Sequence, residues 1–205
     1  MTARFGDFVF ICQHIRRRVR VCPVRAVEWA MSEILILYST VDGQTRRICE
    51  RMQAVLEASG QRVVLASFDD PHLPDAADFD KIVIGASIRY GKHRQSVADF
   101  IAANRALLDN RPSAFFSVNI VARKAEKNRP ETNPYVRKFL GLTAWQPTRT
   151  AVFAGRLDYP SYRLVDRQMI RLIMWITKGP TDPATVVEYT DWNAVESFAR
   201  EIGAL

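Results

Sequence analysis

Three stretches that each open on serine carry the residues best suited to chemistry. The first, Ser39-Thr40-Val41-Asp42-Gly43-Gln44-Thr45, follows the apolar run Ile34-Leu35-Ile36-Leu37. It precedes a helical pattern with Ile48, Met52, Val55 and Leu56 on one face. A strand, a polar loop and a helix start form a natural anion site, because loop N–H groups and the helix dipole both favour negative charge. Gly43 lets the backbone approach closely, and Thr40 and Thr45 offer hydroxyl donors. The two-glycine phosphate loop and the G-x-G-x-x-G pattern are absent, so neither an ATP site nor a dinucleotide site is signalled. A plain strand-to-helix turn is the alternative. The second stretch is Ser87-Ile88-Arg89-Tyr90-Gly91 and the third Ser117-Val118-Asn119. Small polar residues at strand ends leave room for a flat ring. Tyr90 could stack on it, or could equally be ordinary loop packing.

The elements that must position these loops are legible as alternating runs. Arg62–Ala66, Asp80–Ala86, Ser113–Val118 and Thr150–Gly155 read as further strands. Gln95–Leu108, Pro134–Leu142 and Trp192–Ile202 read as helices, the last starting at Asp191, a good N-cap. The first helix is expected to end near Ser59-Gly60. Apolar runs on both strand faces, alternating with helices, predict an α/β fold: a five-stranded parallel sheet covered on both sides. Right-handed crossovers and a phosphate loop after strand one suit the order 2-1-3-4-5. Ligands of such sheets sit at the carboxyl ends of strands one, three and four, where the three serine-led loops meet.

The 205-residue chain is long enough for a sizeable core, and with 48% hydrophobic and 25% charged residues it reads as a folded protein. Its net charge of +7 points to an acidic partner. Residues 1–30 hold six arginines against Asp7 and Glu28, leaving +3 on the remainder. Their apolar run, Phe8–Cys12, precedes most of the arginines, the wrong order for an export signal. They are read as a basic extension outside the fold, with residues 31–205 as the domain, because Met31-Ser32-Glu33 leads straight into the first strand. Cys12, Cys22 and Cys49 share no close spacing, which signals neither a disulfide framework nor a metal site. No apolar run reaches the ~18 residues of a membrane span.

From Met31 to Leu205 the chain resembles the quinone-dependent protoporphyrinogen IX dehydrogenases of bacteria, a family of flavodoxin-like FMN proteins. The likeness is carried by Leu37–Thr40 with Asp42–Arg46, by Val83–Gly91, and by Ser113–Asn119 with Val121–Lys124. It continues in Arg137–Leu140, Met169–Met174 and Tyr189–Trp192. The resemblance implies a flavodoxin fold, FMN held by the three loops, and electron transfer from protoporphyrinogen IX to a respiratory quinone in haem synthesis. It also implies a peripheral protein on the cytoplasmic side of the bacterial inner membrane. Asp42 departs from ordinary flavodoxins, which carry a hydroxyl there. A carboxylate beside a phosphate is repulsive unless it turns away.

An insert at about 156–184 lies beyond what ordinary flavodoxins need. Its middle, Tyr162–Lys178, reads as a helix. At ~100° per residue, Tyr162, Val165, Met169, Leu172, Ile173 and Ile176 share one sector, with Trp175 on the flank. Arg163, Arg167, Arg171 and Lys178 share the opposing one, interrupted by Ile170 and Met174. Such a helix suits an anionic membrane surface. Packing on the domain or on a second subunit is the alternative. Because the ring and phosphate loops lie elsewhere, the helix is expected to serve turnover and not cofactor retention.

Protoporphyrinogen carries two propionates, and Arg89, Arg123 and Lys124 lie near enough to the loops to pair with them. His93 could move protons, but a surface histidine is expected. Two rival functions share the fold. A flavodoxin-type electron carrier is usually acidic, unlike this chain, and an NAD(P)H:quinone reductase would oxidise nicotinamide. The basic residues are scattered and form no nucleic-acid-binding motif.

Overall fold

The computed structural model describes residues 32–205. The basic extension at 1–30 lies outside the described residues. In chain order the elements are β1 (Glu33–Ser39), α1 (Gln44–Ala58), β2 (Arg62–Ser67), β3 (Lys81–Ser87), α2 (Gln95–Ala103), α3 (Arg105–Asn110), β4 (Ser113–Val118), α4 (Pro134–Thr143), β5 (Arg149–Phe153), β6 (Arg156–Asp158), α5 (Leu164–Ile176), β7 (Val186–Glu188) and α6 (Trp192–Gly203). Strands β1 to β5 form one parallel sheet in the order β2-β1-β3-β4-β5, the order expected from the sequence.

Pleating explains the double-sided runs, since successive side chains point to opposite faces. Leu35, Leu37, Ile82, Ile84 and Phe115 face one layer, where α2, α3 and α4 contribute Val97, Ile101, Leu108, Val136 and Phe139. Ile34, Ile36, Val83 and Phe116 face the other, covered by Ile48, Met52 and Leu56 of α1 and by Val195, Phe198 and Ile202 of α6. Gly85 sits mid-sheet because any Cβ there would collide with the Phe116 ring.

Three departures from the sequence reading have local causes. The helix expected over Gln95–Leu108 breaks at Asn104, whose Nδ2 donates to the Phe100 carbonyl at 3.0 Å and competes with the helix ladder. Strands β6 and β7 pair antiparallel and clamp the base of the insert, a ribbon the sequence reading missed. The insert helix starts at Leu164 and not at Tyr162, because the Tyr162 hydroxyl is held beneath it. That hydroxyl donates to the Arg156 carbonyl at 3.2 Å and accepts from the Asp158 N–H at 3.3 Å.

The seat of α5 also differs from expectation. Met174, read as an interruption of a basic face, is fully buried against Leu157 and Tyr159, with Ile170 packed beside them. Arg167 and Arg171 are half-buried, and the Arg171 Nε donates to the Thr181 carbonyl at 2.9 Å. The helix therefore docks by the side that carries Asp166, Ile170 and Met174. It leaves Val165, Leu172, Trp175 and Ile176 exposed, together with Leu164.

Candidate functional site

The turn after β1 is built to receive an anion. Gly43 adopts the left-handed conformation (φ 80°), and its N–H donates to Thr40 Oγ1 at 3.0 Å. Helix α1 has no side-chain cap and no acid in its first turn, so the leading N–H donors at Gln44, Thr45 and Arg46 find no partner within the helix. The hydroxyl oxygens of Ser39 and Thr45 are buried without any hydrogen-bond partner. Leaving a buried polar group unmet costs about 1–3 kcal/mol. A phosphate with several acceptor oxygens fits this cradle. Gln44 contributes its backbone only. Its Nε2 donates to Glu188 at 3.0 Å and Thr190 at 2.9 Å, and its Oε1 accepts from Arg47 at 3.0 Å, which ties α1 to the C-terminal segment.

A cavity of about 540 Å³ opens directly from this cradle. Of the residues expected around a flat ring and its phosphate, Thr40, Asp42, Gln44, Thr45, Ser87, Ile88, Arg89, Tyr90, Gly91, Val118 and Asn119 line it. Ser39, Val41, Gly43 and Ser117 do not. The sequence reading missed the opposite wall. Tyr162, Asp166, Met169, Ile170 and Ile173 close the cavity from the insert, and Leu157 and Tyr135 complete it. Helix α5, expected to lie away from the three loops, is one wall of the cavity that they line. Tyr162, Met169 and Ile173, read as parts of an outward face, line the cavity with one side, while Met169 and Ile173 stay exposed on the other.

Asp166 anchors that wall. Its Oδ1 accepts from the Tyr90 hydroxyl at 2.5 Å, and its other oxygen pairs with the Arg89 guanidinium. Arg89 also bonds Asp42 at 3.2 Å and lies 5.5 Å over the Tyr90 ring. One cluster thus clasps α5 to the loop after β3 and, through Asp42, to the loop after β1. The Tyr90 hydrogen bond, and then Arg89, hold the Asp166 carboxyl below its ordinary pKa. Burial pushes Asp42 up, against the pull of Arg89. Asp42 turns towards Arg89, which resolves its awkward place beside a phosphate. One signal could have revealed the clasp: Asp166 is the only acid between Asp158 and Asp182, set among Arg163, Arg167 and Arg171.

His93 is only partly exposed, with one side of its ring turned inward and the residue lining a cleft between α2 and α4. Its ring lies 4.5 Å from Phe139 and 5.6 Å from Phe115 by ring centres. The Ala122 N–H at 3.1 Å and Asn133 Nδ2 at 3.3 Å both donate to Asn119 Oδ1, which fixes that amide. Asn119 Nδ2 then donates to Ser117 Oγ at 3.3 Å, and that hydroxyl is hydrogen-bonded to His93 Nε2 at 3.0 Å. Burial lowers the His93 pKa to about 4, which leaves the ring neutral at neutral pH. Its part is to brace the third loop. Arg123 is also committed. Its guanidinium donates to the Thr177 carbonyl at 3.1 Å and hydroxyl at 2.8 Å, and to the Ile120 carbonyl at 3.2 Å, which pins the end of α5. Of the three cations expected to meet propionates, Arg89 and Arg123 hold the protein together. Lys124 makes no ion pair among the described residues and does not line the cavity.

Among the described residues no group of three or more His, Cys, Asp or Glu is placed to hold a metal ion. No helix among them is long and apolar enough to cross a membrane. The chain matches the Flavodoxin domain family over residues 35–184. It is 48% identical over 171 residues to the protoporphyrinogen IX dehydrogenase (quinone) of Escherichia coli (strain K12), covering 83% of this chain and 94% of that protein. A Leishmania major protein of the same name is 42% identical over 172 residues, covering 83% of this chain and 74% of its own, so the name is not confined to bacteria. The solved structure of oxidised Flavodoxin 1 from Bacillus cereus is similar with a TM-score of 0.49 at 14% identity, over 83% of this chain and 97% of that one. By this identity over nearly the whole of its E. coli relative, the chain belongs to the protoporphyrinogen IX dehydrogenase (quinone) family of flavodoxin-domain proteins.

Proposed function

We propose that this protein is an FMN-dependent oxidoreductase that oxidises protoporphyrinogen IX to protoporphyrin IX with a membrane quinone as electron acceptor, a step of haem biosynthesis. The observation that carries the reading is the cradle of unmet donors at Ser39–Thr45 opening into a cavity walled by the other two loops, in a chain of this family. The donor set fits FMN. Ser39, Thr45 and the first N–H groups of α1 would hold the phosphate, and the backbone of Ile88–Gly91 and Val118–Asn119 would border the ring. Bound FMN supplies the electron-accepting chemistry. The chain's own residues orient and enclose. Tyr90, in a left-handed conformation (φ 50°), is held by Asp166 at the cavity edge. Met169, Ile170 and Ile173 shield the cavity from water, and the braced Ser117–Asn119 turn fixes its floor.

The exposed face of α5 supports peripheral contact with an anionic membrane, on the cytoplasmic side in a bacterium. Val165 and Trp175 are 72% and 71% exposed, and Arg163 and Lys178 are exposed at either end. Apolar side chains ringed by cations suit the interface of an anionic bilayer, where each cation contributes about 1 kcal/mol. Tyr162 drops out of that contact, and Met169 and Ile173 sit at its inner rim. A second copy of the chain could cover the same face, and sedimentation velocity separates the two occupants. The reading is tested with FMN-loaded protein under anaerobic conditions. With catalytic amounts of enzyme, protoporphyrin fluorescence should keep growing beyond the electron capacity of the bound flavin only when protoporphyrinogen IX and a quinone are both present. Turnover of NAD(P)H with quinone, without porphyrin formation, would instead support the reductase of the same fold.

A further inference from the structure

The cavity described above cannot account for how a dicarboxylic macrocycle is held. Ligand pockets of about 300–1,000 Å³ hold one ligand of drug size, and a ring cofactor would take up most of 540 Å³. The cations that line it are already paired, Arg89 with Asp42 and Asp166 and Arg156 with Asp158. A second cleft of about 560 Å³ lies alongside, between α2 and α4, and Gly91 and Tyr135 line both. Its apolar side is made by Ala98, Ala102, Phe139 and Leu142, the last 76% exposed.

The charges of this cleft are unevenly matched. Lys92 and Lys138 both line it, are exposed, and make no ion pair among the described residues. Arg94 is paired with Asp69. The one acid of the cleft, Asp99, accepts from Gln95 Nε2 at 2.9 Å. Helix α2 also begins here without a side-chain cap or an acid in its first turn, so its positive end adds to the two lysines. An apolar wall beside two unpaired cations, next to the ring loop, is complementary to a flat apolar molecule with carboxylates on one edge.

We infer that the cleft between α2 and α4 seats the carboxylate-bearing edge of the tetrapyrrole, with Lys92 and Lys138 pairing with its two propionates and the macrocycle reaching past Tyr135 and Gly91 towards the cavity. This rests on the activity proposed above. The lysines bind and orient; they take no part in electron transfer.

The test titrates FMN-loaded protein with protoporphyrin IX, and with its dimethyl ester, which keeps the ring and lacks the carboxylates. The variants are Lys92→Glu with Lys138→Glu, and the milder Lys92→Gln with Lys138→Gln. Arg137→Glu is the control, an exposed cation on the same helix that does not line the cleft. The charge-reversed pair should weaken binding of the diacid by roughly tenfold or more. KM for protoporphyrinogen should rise while kcat, FMN affinity and ester binding stay unchanged. The glutamine pair should do the same to a smaller extent, and Arg137→Glu should match wild type. Equal diacid binding by wild type and both lysine pairs would overturn the inference, as would a wild type that binds no diacid. Absence of turnover by wild type would overturn the proposed activity instead, and the ester comparison would still decide whether the lysines read carboxylates.

Discussion

Helices α5 and α6 are of similar length and both amphipathic, yet the structure treats them in opposite ways. α6 lays Val195, Phe198, Ala199 and Ile202 against the sheet and buries all four. α5 docks by a narrow edge, Asp166, Ile170 and Met174, and leaves its broader apolar face open. One helix belongs to the core. The other is a wall of the cavity between the serine-led loops, held by a polar clasp with its greasy side outward. Amphipathicity states that a face is to be covered; it does not state by what. In α6 the cover is the protein. In α5 the open face is the structural feature that supports membrane contact.

The contrast can be broken first at its most stable point. Phe198→Ala should cost about 3–5 kcal/mol in urea unfolding, because a buried ring is replaced by a cavity. A loss below about 1 kcal/mol would mean that α6 is not core. The next two expectations set the interior against the clasp by pH. Partly buried His93, with a folded pKa of about 4 against 6.5, makes the unfolded state bind more protons between those values. Stability should therefore fall by up to about 3 kcal/mol as pH drops from 6.5 to 4, and His93→Gln should flatten that slope in pH-dependent unfolding. Asp166 behaves differently. Its carboxyl is held below the ordinary 3.8, so its contribution is complete above that value and disappears only as pH falls below it, through the lowered folded pKa. Asp166→Asn should remove this lower limb and weaken FMN binding roughly tenfold at neutral pH, measured by flavin fluorescence, since two loops lose their tie to α5. The smallest effect is expected on the open face. Trp175→Ser should change unfolding free energy by no more than about 0.5 kcal/mol, while reducing sedimentation with anionic vesicles. A large loss of stability there would show that the face is covered by protein.

Much of this was legible in the sequence, for physical reasons that differ by element. Strands β1, β3 and β4 are buried on both faces, so their apolar runs announced a parallel sheet. The sheet's order then brought the three serine-led loops together. Strands β6 and β7 are three residues each, too short to show a period. The seat of α5 was not legible because periodicity gives the faces of a helix and not which one is down. That choice was made by Asp166 and Met174, whose partners Tyr90, Arg89 and Leu157 lie far away or across a turn. His93 was hidden by its neighbours, Lys92 and Arg94, which mark an exposed loop while the ring between them turns inward against Phe115 and Phe139.

On the function proposed above, the cavity next to the Ser39–Thr45 cradle holds a flavin that takes electrons from the tetrapyrrole and gives them to a quinone. The most direct measurement mixes FMN-loaded protein with protoporphyrinogen IX in an anaerobic stopped-flow cell and follows flavin absorbance and porphyrin fluorescence together, before any quinone is added. With loaded protein in at least threefold excess, because the porphyrinogen gives up six electrons and each FMN takes two, the expected result is loss of oxidised-flavin absorbance matched in electron equivalents by porphyrin formation, and full recovery of absorbance when quinone follows. Flavin absorbance that stays unchanged with protoporphyrinogen IX, and falls with NADPH instead, would contradict it.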